Sequence, residues 1–214
     1  VSNPNKGVIQ VTIGGNNVYE NVEIDYRMSS LKAKDILAIL NGEKSETLPT
    51  VIESTENDNL FVFWSGHGVP GAMCWDEEPY AMTGDDLSTV FKDMNLKRRY
   101  RKLLMMVEAC FSGGVMEQCE GIPGMLFITA ANGDETSKAD VFNGEMKVWM
   151  SNRFTSTFIE QITDNKDVAM RDLYYRLFIN TVGSHVMVYN AENYGNLYSV
   201  NMSEFINFKN DKSK

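Results

Sequence analysis

Cysteine and positive charge are both scarce in this 214-residue chain. The three cysteines, Cys74, Cys110 and Cys119, are an odd number in a chain of this length, so they predict no disulfide framework. The net charge of −9 leaves no basic stripe to neutralise phosphates, which argues against a nucleic-acid partner. No apolar run approaches the roughly 20 residues that cross a membrane. We therefore expect no transmembrane segment within this chain.

The remaining composition, 43% hydrophobic and 23% charged residues, is typical of one compact soluble domain. The single basic cluster, residues 97–102, lies between a predicted helix and a predicted strand. Cations at that place complement the helix dipole, so we interpret the cluster as a solvated helix end.

Hydrophobic periodicity divides the chain into short strands and amphipathic helices. A turn at residues 14–17 predicts a β-hairpin over residues 8–26, and residues 68–80 are interpreted as irregular. Strands without alternation, interleaved with helices, predict an α/β fold whose mostly parallel sheet is buried on both faces. The predicted core strands cover residues 60–64, 103–107, 125–129 and 185–189, and helices begin at Ser30, Thr83, Asn152 and Asp167.

Two glycine-flanked motifs follow two of these strands. His67 lies in FWSGHG (residues 63–68), and Cys110 lies in VEACFSGG (residues 107–114). Reacting groups in an open parallel sheet gather beyond the carboxyl ends of the strands. A cysteine attacks as a thiolate, and a nearby imidazole takes its proton or stabilises the ion pair. The pair therefore predicts a thiol hydrolase with Cys110 as nucleophile and His67 as general base.

These motifs also carry a family resemblance. SGHG (residues 65–68) followed by EAC (108–110) resembles the caspase-like cysteine peptidases as a clan, metacaspases included. Four further stretches resemble the legumain-like branch, which includes asparaginyl endopeptidases and the catalytic subunit of the glycosylphosphatidylinositol transamidase. They are NPNKG (3–7), VEIDYR (22–27), KRRYRKLL (97–104) and SHVMVY (184–189). The resemblance implies a caspase-like three-layer sandwich over residues 1–214, with a small β-hairpin.

The resemblance also implies a missing part. Legumain-like domains begin with a strand, a helix and a second strand that have no counterpart here, and four core strands are predicted where caspase-like sheets have six. The missing part would carry an Asn that orients the catalytic His and an Arg-His pair of the specificity pocket. We therefore expect the larger fragment of an enzyme cleaved by its own activity before Val1. Its amino-terminal fragment would remain a tightly associated partner, since a bare sheet edge is an aggregation template.

Further roles follow for residues around the motifs. The backbone N–H groups of Gly68 and Cys110 are the expected oxyanion donors, because glycine lets substrate approach the backbone. Glu108 points to the same side of its strand as Cys110, where a buried carboxylate needs a partner. By resemblance it lies in the pocket for the residue before the scissile bond; the alternative is a structural ion pair.

Ser137 and Asn152 match two further pocket positions of legumain, the second of which is acidic there. Ser137 is equally well interpreted as a loop serine, and Asn152 as a helix cap. His185 matches a legumain histidine that is not catalytic, so we interpret it as structural. Cys74 and Cys119 are interpreted as ordinary thiols.

The resulting hypothesis is a cysteine endopeptidase that cleaves after Asn or Asp through a thioester, with no metal or cofactor and with peptides or proteins as substrates. The resemblance favours a secreted, cell-envelope or lysosome-like compartment. Three alternatives stay open: a transpeptidase of the same family, a caspase- or metacaspase-like peptidase of other specificity, and a catalytically inactive binding subunit.

Overall fold

The computed structural model of the protein describes residues 5–75 and 78–207, and for residues 78–81 the backbone alone. Within these ranges nine strands and six α-helices form, with three short 3-10 turns. The strands are β1 (Asn59–Ser65), β2 (Gly68–Val69), β3 (Ala72–Trp75), β4 (Glu78–Thr83), β5 (Lys102–Glu108), β6 (Met125–Thr129), β7 (Ala139–Asn143), β8 (Val148–Asn152) and β9 (Met187–Tyr189). The helices are α1 (Ala33–Asn41), α2 (Gly84–Leu96), α3 (Ser112–Met116), α4 (Arg153–Asp164), α5 (Met170–Asn180) and α6 (Ala191–Tyr194).

A four-stranded sheet in the order β1-β5-β6-β9 forms the centre of the fold. β1, β5 and β6 run parallel, and β9 runs antiparallel to β6. The core strands predicted over residues 60–64, 103–107 and 125–129 are confirmed, as is the mostly parallel sheet. The last strand begins at Met187, two residues later than predicted. β1 lies at an edge, because β5 is its only partner among the described strands.

Helices cover both faces of the sheet. Side chains of β5 alternate between two apolar clusters, with Leu103 and Met105 in one and Leu104 and Met106 in the other. The first cluster includes residues of α1, α2 and α3, and the second includes residues of α4 and α5. This arrangement confirms the three-layer, caspase-like sandwich. No helix in the described ranges is long and apolar enough to cross a bilayer.

The helix ends agree with the sequence where capping residues act locally. The side chain of Thr83 accepts the N–H of Asp86, and the Asp86 carboxylate accepts the N–H of Thr83, as the capping box predicts. α1 ends at Gly42 in the left-handed region, at φ 71°. However, α1 is capped at Lys32 and not at Ser30, whose hydroxyl donates instead to the carbonyl of Arg27.

The predicted β-hairpin over residues 8–26 is wrong. One backbone hydrogen bond joins the two predicted arms of the hairpin, from the N–H of Val18 to the carbonyl of Ile9 at 2.8 Å. Turns occupy the segment instead of paired strands. The side chain of Asn17 accepts the N–H of Ile9, so a side chain takes the donor that a hairpin ladder would use. Ile13 is 65% exposed, so no apolar face holds the segment against the core.

The interpretation of residues 68–80 as irregular is also wrong. β2, β3 and β4 form an antiparallel sheet beside the end of β1. Pro70 and Gly71 form the two-residue connection between β2 and β3, and Gly71 takes φ 78° there. Here the proline and the glycine mark a hairpin turn and not an irregular loop. The following strand is anchored by Ala72 and Met73, which are almost fully buried.

Candidate active site

The pairing of β1 with β5 places His67 and Cys110 beyond the carboxyl ends of these two neighbouring strands. The two parallel strands end in register, with Ser65 opposite Glu108. His67 and Cys110 each follow two residues later, and the N–H of Gly66 donates to the carbonyl of Glu108 at 3.0 Å. The imidazole and the thiol are thus carried by chain segments that leave the sheet together, as the sequence predicts.

Gly68 packs directly against the backbone of Cys110. A Cβ atom at Gly68 would lie 2.1 Å from the carbonyl oxygen of Cys110, so only glycine fits there. The N–H of Cys74 donates to the carbonyl of His67, which makes His67 and Cys74 a hydrogen-bonded pair of the antiparallel ladder. Hydrogen-bonded and non-hydrogen-bonded pairs alternate in such a ladder, so the N–H of Gly68 points away from β3.

The chain turns sharply immediately after Cys110. Phe111 takes φ 57° and ψ 17°, a left-handed conformation that is costly for an aromatic residue. Its N–H donates to the carbonyl of Glu135 at 2.8 Å, which holds the turn in place. Backbone strain of this kind is concentrated at functional sites, and here it separates strand β5 from helix α3 at the thiol.

The three cysteines differ in accessibility. Cys110 and Cys74 are half-buried, whereas Cys119 is fully buried. Burial raises the pKa of the Cys119 thiol to about 12, so this cysteine stays protonated and unreactive. His67 is exposed, and among the described residues no hydrogen bond involves its ring. Of the two half-buried thiols, Cys110 is the one that follows a strand of the central sheet, as His67 does.

Glu108 is a buried carboxyl group two residues before the thiol. It is only 1% exposed. Its Oε2 accepts two hydrogen bonds from Thr155, one from the backbone N–H and one from Oγ1, each at 3.1 Å. Burial raises the pKa of Glu108, and the bonds from Thr155 partly oppose that shift. The other oxygen, Oε1, is buried without a donor in the described part of the chain.

Ser137 lies close to both the thiol of Cys110 and the carboxyl group of Glu108. Its Oγ is 4.0 Å from Sγ of Cys110. The Ser137 hydroxyl also favours the charged form of Glu108 and so acts to lower the pKa of that group, but it does not reach hydrogen-bond geometry with Oε1. The structure therefore brings Ser137 together with Cys110 and Glu108, which are predicted site residues from two different parts of the sequence.

Asn152 stands at the end of β8, where it pairs with Ala139, two residues after Ser137. It occupies the residue before α4, but its side chain makes no capping bond. The N–H of Thr155, which a cap would accept, is bound by Glu108 instead. Asn152 therefore occupies the N-cap position of α4, as predicted, but its side chain does not cap the helix, because a carboxylate from β5 accepts that N–H.

Two residues of this region were missed by sequence reasoning. Thr155 holds Glu108, and the side chain of Glu135 ties the loop after β6 to the segment that contains His185. The carboxylate of Glu135 accepts the N–H of His185 at 2.6 Å, contacts its Nδ1 at 2.9 Å and accepts the N–H of Asn132 at 3.2 Å. Burial opposes ionisation of Glu135, but these bonds outweigh it and lower its pKa. The contacts of His185 are structural, in agreement with its interpretation.

A thiol and an imidazole at the ends of neighbouring parallel strands, in a caspase-like sheet, are typical of cysteine peptidases. Comparison with known proteins gives the same class. A model of the Peptidase C13 family matches residues 1–205. The chain therefore belongs to the Peptidase C13 family, and the legumain-like resemblance is confirmed.

Curated relatives are similar over most of this chain. Legumain from Rattus norvegicus is 28% identical over 194 residues, which cover 87% of this chain and 44% of that protein. Hemoglobinase from Schistosoma mansoni is 31% identical over 202 residues, covering 87% and 43%. The GPI-anchor transamidase of Saccharomyces cerevisiae is 25% identical over 174 residues, covering 79% and 42%. The chain thus spans less than half the length of these relatives.

Proposed function

We propose that this chain carries the nucleophile of a cysteine endopeptidase that cleaves peptide bonds after Asn or Asp. The observation that carries the proposal is the register of β1 and β5, which ends with Ser65 opposite Glu108, so that His67 and Cys110 each follow two residues later. The backbone of Gly68 packs against that of Cys110. Membership of the Peptidase C13 family supports the same chemistry. Peptides and proteins are then the substrates.

The proposed reaction uses Cys110 and His67 in turn. His67 takes the thiol proton, and the thiolate attacks the scissile carbonyl carbon to form a tetrahedral oxyanion. The N–H groups of Gly68 and Cys110 donate to that oxyanion, where preorganised donors stabilise the developing charge. The C–N bond then breaks, His67 protonates the leaving amine, and a thioester remains on Cys110. Water, deprotonated by His67, hydrolyses the thioester and restores the thiol.

The proposed pocket for the residue before the scissile bond contains Glu108, Ser137 and Asn152. Oε1 of Glu108 is a buried acceptor without a donor, and the side-chain N–H₂ of a substrate Asn would supply one. Ser137 and Asn152 each offer groups that donate or accept. An Asp carboxylate in the same place would be repelled by an ionised Glu108 unless one of the two were protonated.

The proposal is tested with reporter peptides that differ only at the residue before the scissile bond. Asn and Asp peptides should be cleaved, and Arg, Lys and Ala peptides should not. An active-site thiol probe should label Cys110, as shown by peptide mapping. Cleavage after Arg or Lys would favour a metacaspase-like specificity, and absence of labelling would favour an inactive binding subunit.

A transpeptidase is the second candidate, favoured by the similarity to the yeast GPI-anchor transamidase. Here an amine in place of water resolves the thioester, and every earlier step is the same. Adding hydroxylamine or a short peptide with a free amino terminus to the assay separates the two. A transpeptidase should give the amine adduct as its main product, whereas a hydrolase should give mainly the free acid.

Asn152→Asp should shift selectivity toward Asn. The change adds a negative charge to a desolvated pocket, and such a charge disfavours a substrate carboxylate by an amount on the order of 1–3 kcal/mol. The ratio of kcat/KM for Asn and Asp peptides, measured from pH 5 to 8, should therefore rise in the variant at neutral pH. An unchanged ratio would place Asn152 outside the pocket.

We also propose that the free edge of β1 pairs with further strands from an amino-terminal fragment of the same enzyme. Among the strands that the structure describes, β1 has a partner on one side only, and its central residues are only half-buried. The unpaired side of an edge strand leaves alternate N–H and C=O groups open to another chain. In hydrogen exchange, alternate β1 amides should be fast in this chain alone and slow in the complex with that fragment. Equal exchange in both would contradict the pairing.

A further inference from the structure

The carboxylate of Glu108, and not the side chain of Asn152, satisfies the first turn of α4. Oε2 of Glu108 accepts two hydrogen bonds from Thr155, one from the backbone N–H and one from Oγ1, each 3.1 Å long. A helix normally obtains this acceptor from the residue that precedes it. Here the acceptor comes from the end of β5, so the position of Glu108 is tied to the helix and not only to its own strand.

The same two bonds leave one oxygen of Glu108 open. Oε1 is buried, and no donor among the described residues reaches it. A buried acceptor without a partner is costly and points to a ligand donor that fills it. The hydroxyl of Ser137 acts on this carboxyl group to lower its pKa, and Oγ of Ser137 lies 4.0 Å from Sγ of Cys110. The open oxygen therefore belongs to the pocket beside the nucleophile.

We propose that Thr155 is a specificity-determining positioning residue, which clamps Oε2 of Glu108 so that Oε1 is presented to the side-chain amide of a substrate Asn. The inference rests on the proposed function and deepens it. Thr155 acts through Glu108 and touches no reacting atom. With two donors on one oxygen, the carboxyl group cannot turn freely, so the acceptor for the substrate stays in place.

The clamp also acts on the charge of Glu108. Burial raises the pKa of this carboxyl group, and the two bonds from Thr155 favour its ionised form. An ionised Glu108 accepts from a substrate amide and repels a substrate carboxylate. The ionisable groups on the surrounding segments are His67 after β1, Cys110 after β5, Lys138 and Asp140 in the chain after Ser137, and Arg153 at the start of α4, which pairs with Asp140.

Thr155→Val tests the clamp. The change keeps the size of the side chain and the backbone N–H but removes the hydroxyl donor. The Asn over Asp ratio of kcat/KM at pH 7 should fall about tenfold, the size expected for one lost hydrogen bond to a charged group. The loss for the Asn peptide should appear mainly in KM. The pH at which Asp cleavage becomes favourable should move upward, because the ionised form of Glu108 is less stabilised.

Two matched variants serve as controls. Thr155→Ser keeps the hydroxyl and should restore the wild-type ratio and pH profile. Thr163→Val makes the same substitution in the last turn of α4, where the hydroxyl donates to the carbonyl of Ile159, and it should leave both unchanged. A direct measurement of the Glu108 pKa by carboxyl ¹³C NMR should show an upward shift in Thr155→Val and no shift in Thr163→Val, even if the first variant loses activity.

The outcomes separate the inference from the function on which it rests. Wild-type protein that cleaves neither peptide would overturn the proposed specificity. Wild-type protein that prefers Asn, together with a Thr155→Val variant of unchanged ratio, pH profile and Glu108 pKa, would overturn the clamp alone.

Discussion

Cys110→Ala should abolish peptide hydrolysis while leaving the free energy of unfolding nearly unchanged. The thiol is half-buried beyond the end of β5 and contributes little packing. His67→Ala should cost nearly as much, with each loss on the order of 10³-fold or more in kcat, because nucleophile and base act as a unit. The measurements are kcat for an Asn reporter peptide and the midpoint of thermal unfolding.

The matched control is Cys74→Ala, which removes another half-buried thiol and should retain activity. If Cys110 and His67 act as a unit, their losses in kcat should not add. The double variant should therefore be no slower than either single variant. Residual turnover of a few per cent in Cys110→Ala would exclude this thiol as the nucleophile. A much slower double variant would show that the two residues act independently.

Gly68→Ala should reduce kcat/KM by about 100-fold or more, since displacements of about 1 Å at reacting groups have effects of this size. The added Cβ would lie 2.1 Å from the carbonyl oxygen of Cys110 and 3.3 Å from Cβ of Ala109. Backbone cannot yield as a flexible side chain does, so the turn after His67 must move away from the nucleophile. That movement also displaces the proposed oxyanion donor.

Gly66→Ala is the matched control for that effect. Among the described residues, a Cβ atom there meets Nε1 of Trp64 alone, at an ordinary 3.4 Å, and should be tolerated. Both variants should be compared by kcat/KM, by thermal unfolding and by the rate at which a thiol probe labels Cys110. If Gly68→Ala were folded and as active as Gly66→Ala, the backbone of Gly68 could not stand where the oxyanion forms.

Periodicity predicted the central sheet well because its strands are buried on both faces. Residues 103–107 and 125–128 are continuous apolar runs, and their side chains are all buried, as expected for strands inside a parallel sheet. At residues 8–26 and 68–80 the local signals are turn residues, and these are compatible with either a hairpin or a loop. Packing decided each case, with Met73 buried in the core and Ile13 left exposed.

The residues of the candidate site also differ in whether the sequence alone could predict them. Cys110, His67 and Glu108 could be found from the sequence because they follow or end recognisable strands. Thr155 could not, since its hydroxyl is in the first turn of a helix 47 residues after Glu108 and its importance comes from that contact. Asn152 has the right residue type and position for a cap, yet the competing acceptor from β5 takes the N–H that it would bind.

By itself, the amino-acid sequence determined the strands of the central sheet, the two candidate reactive residues in their glycine-containing motifs and the membership of a peptidase family. These depend on local patterns, because burial, turn chemistry and motif spacing act over a few residues. Only the tertiary structure decided which backbone lies against the nucleophile, which oxygen of Glu108 remains open and which residue holds the other. Those features depend on contacts between segments far apart in the chain, and their geometry is set by packing, which no local pattern encodes.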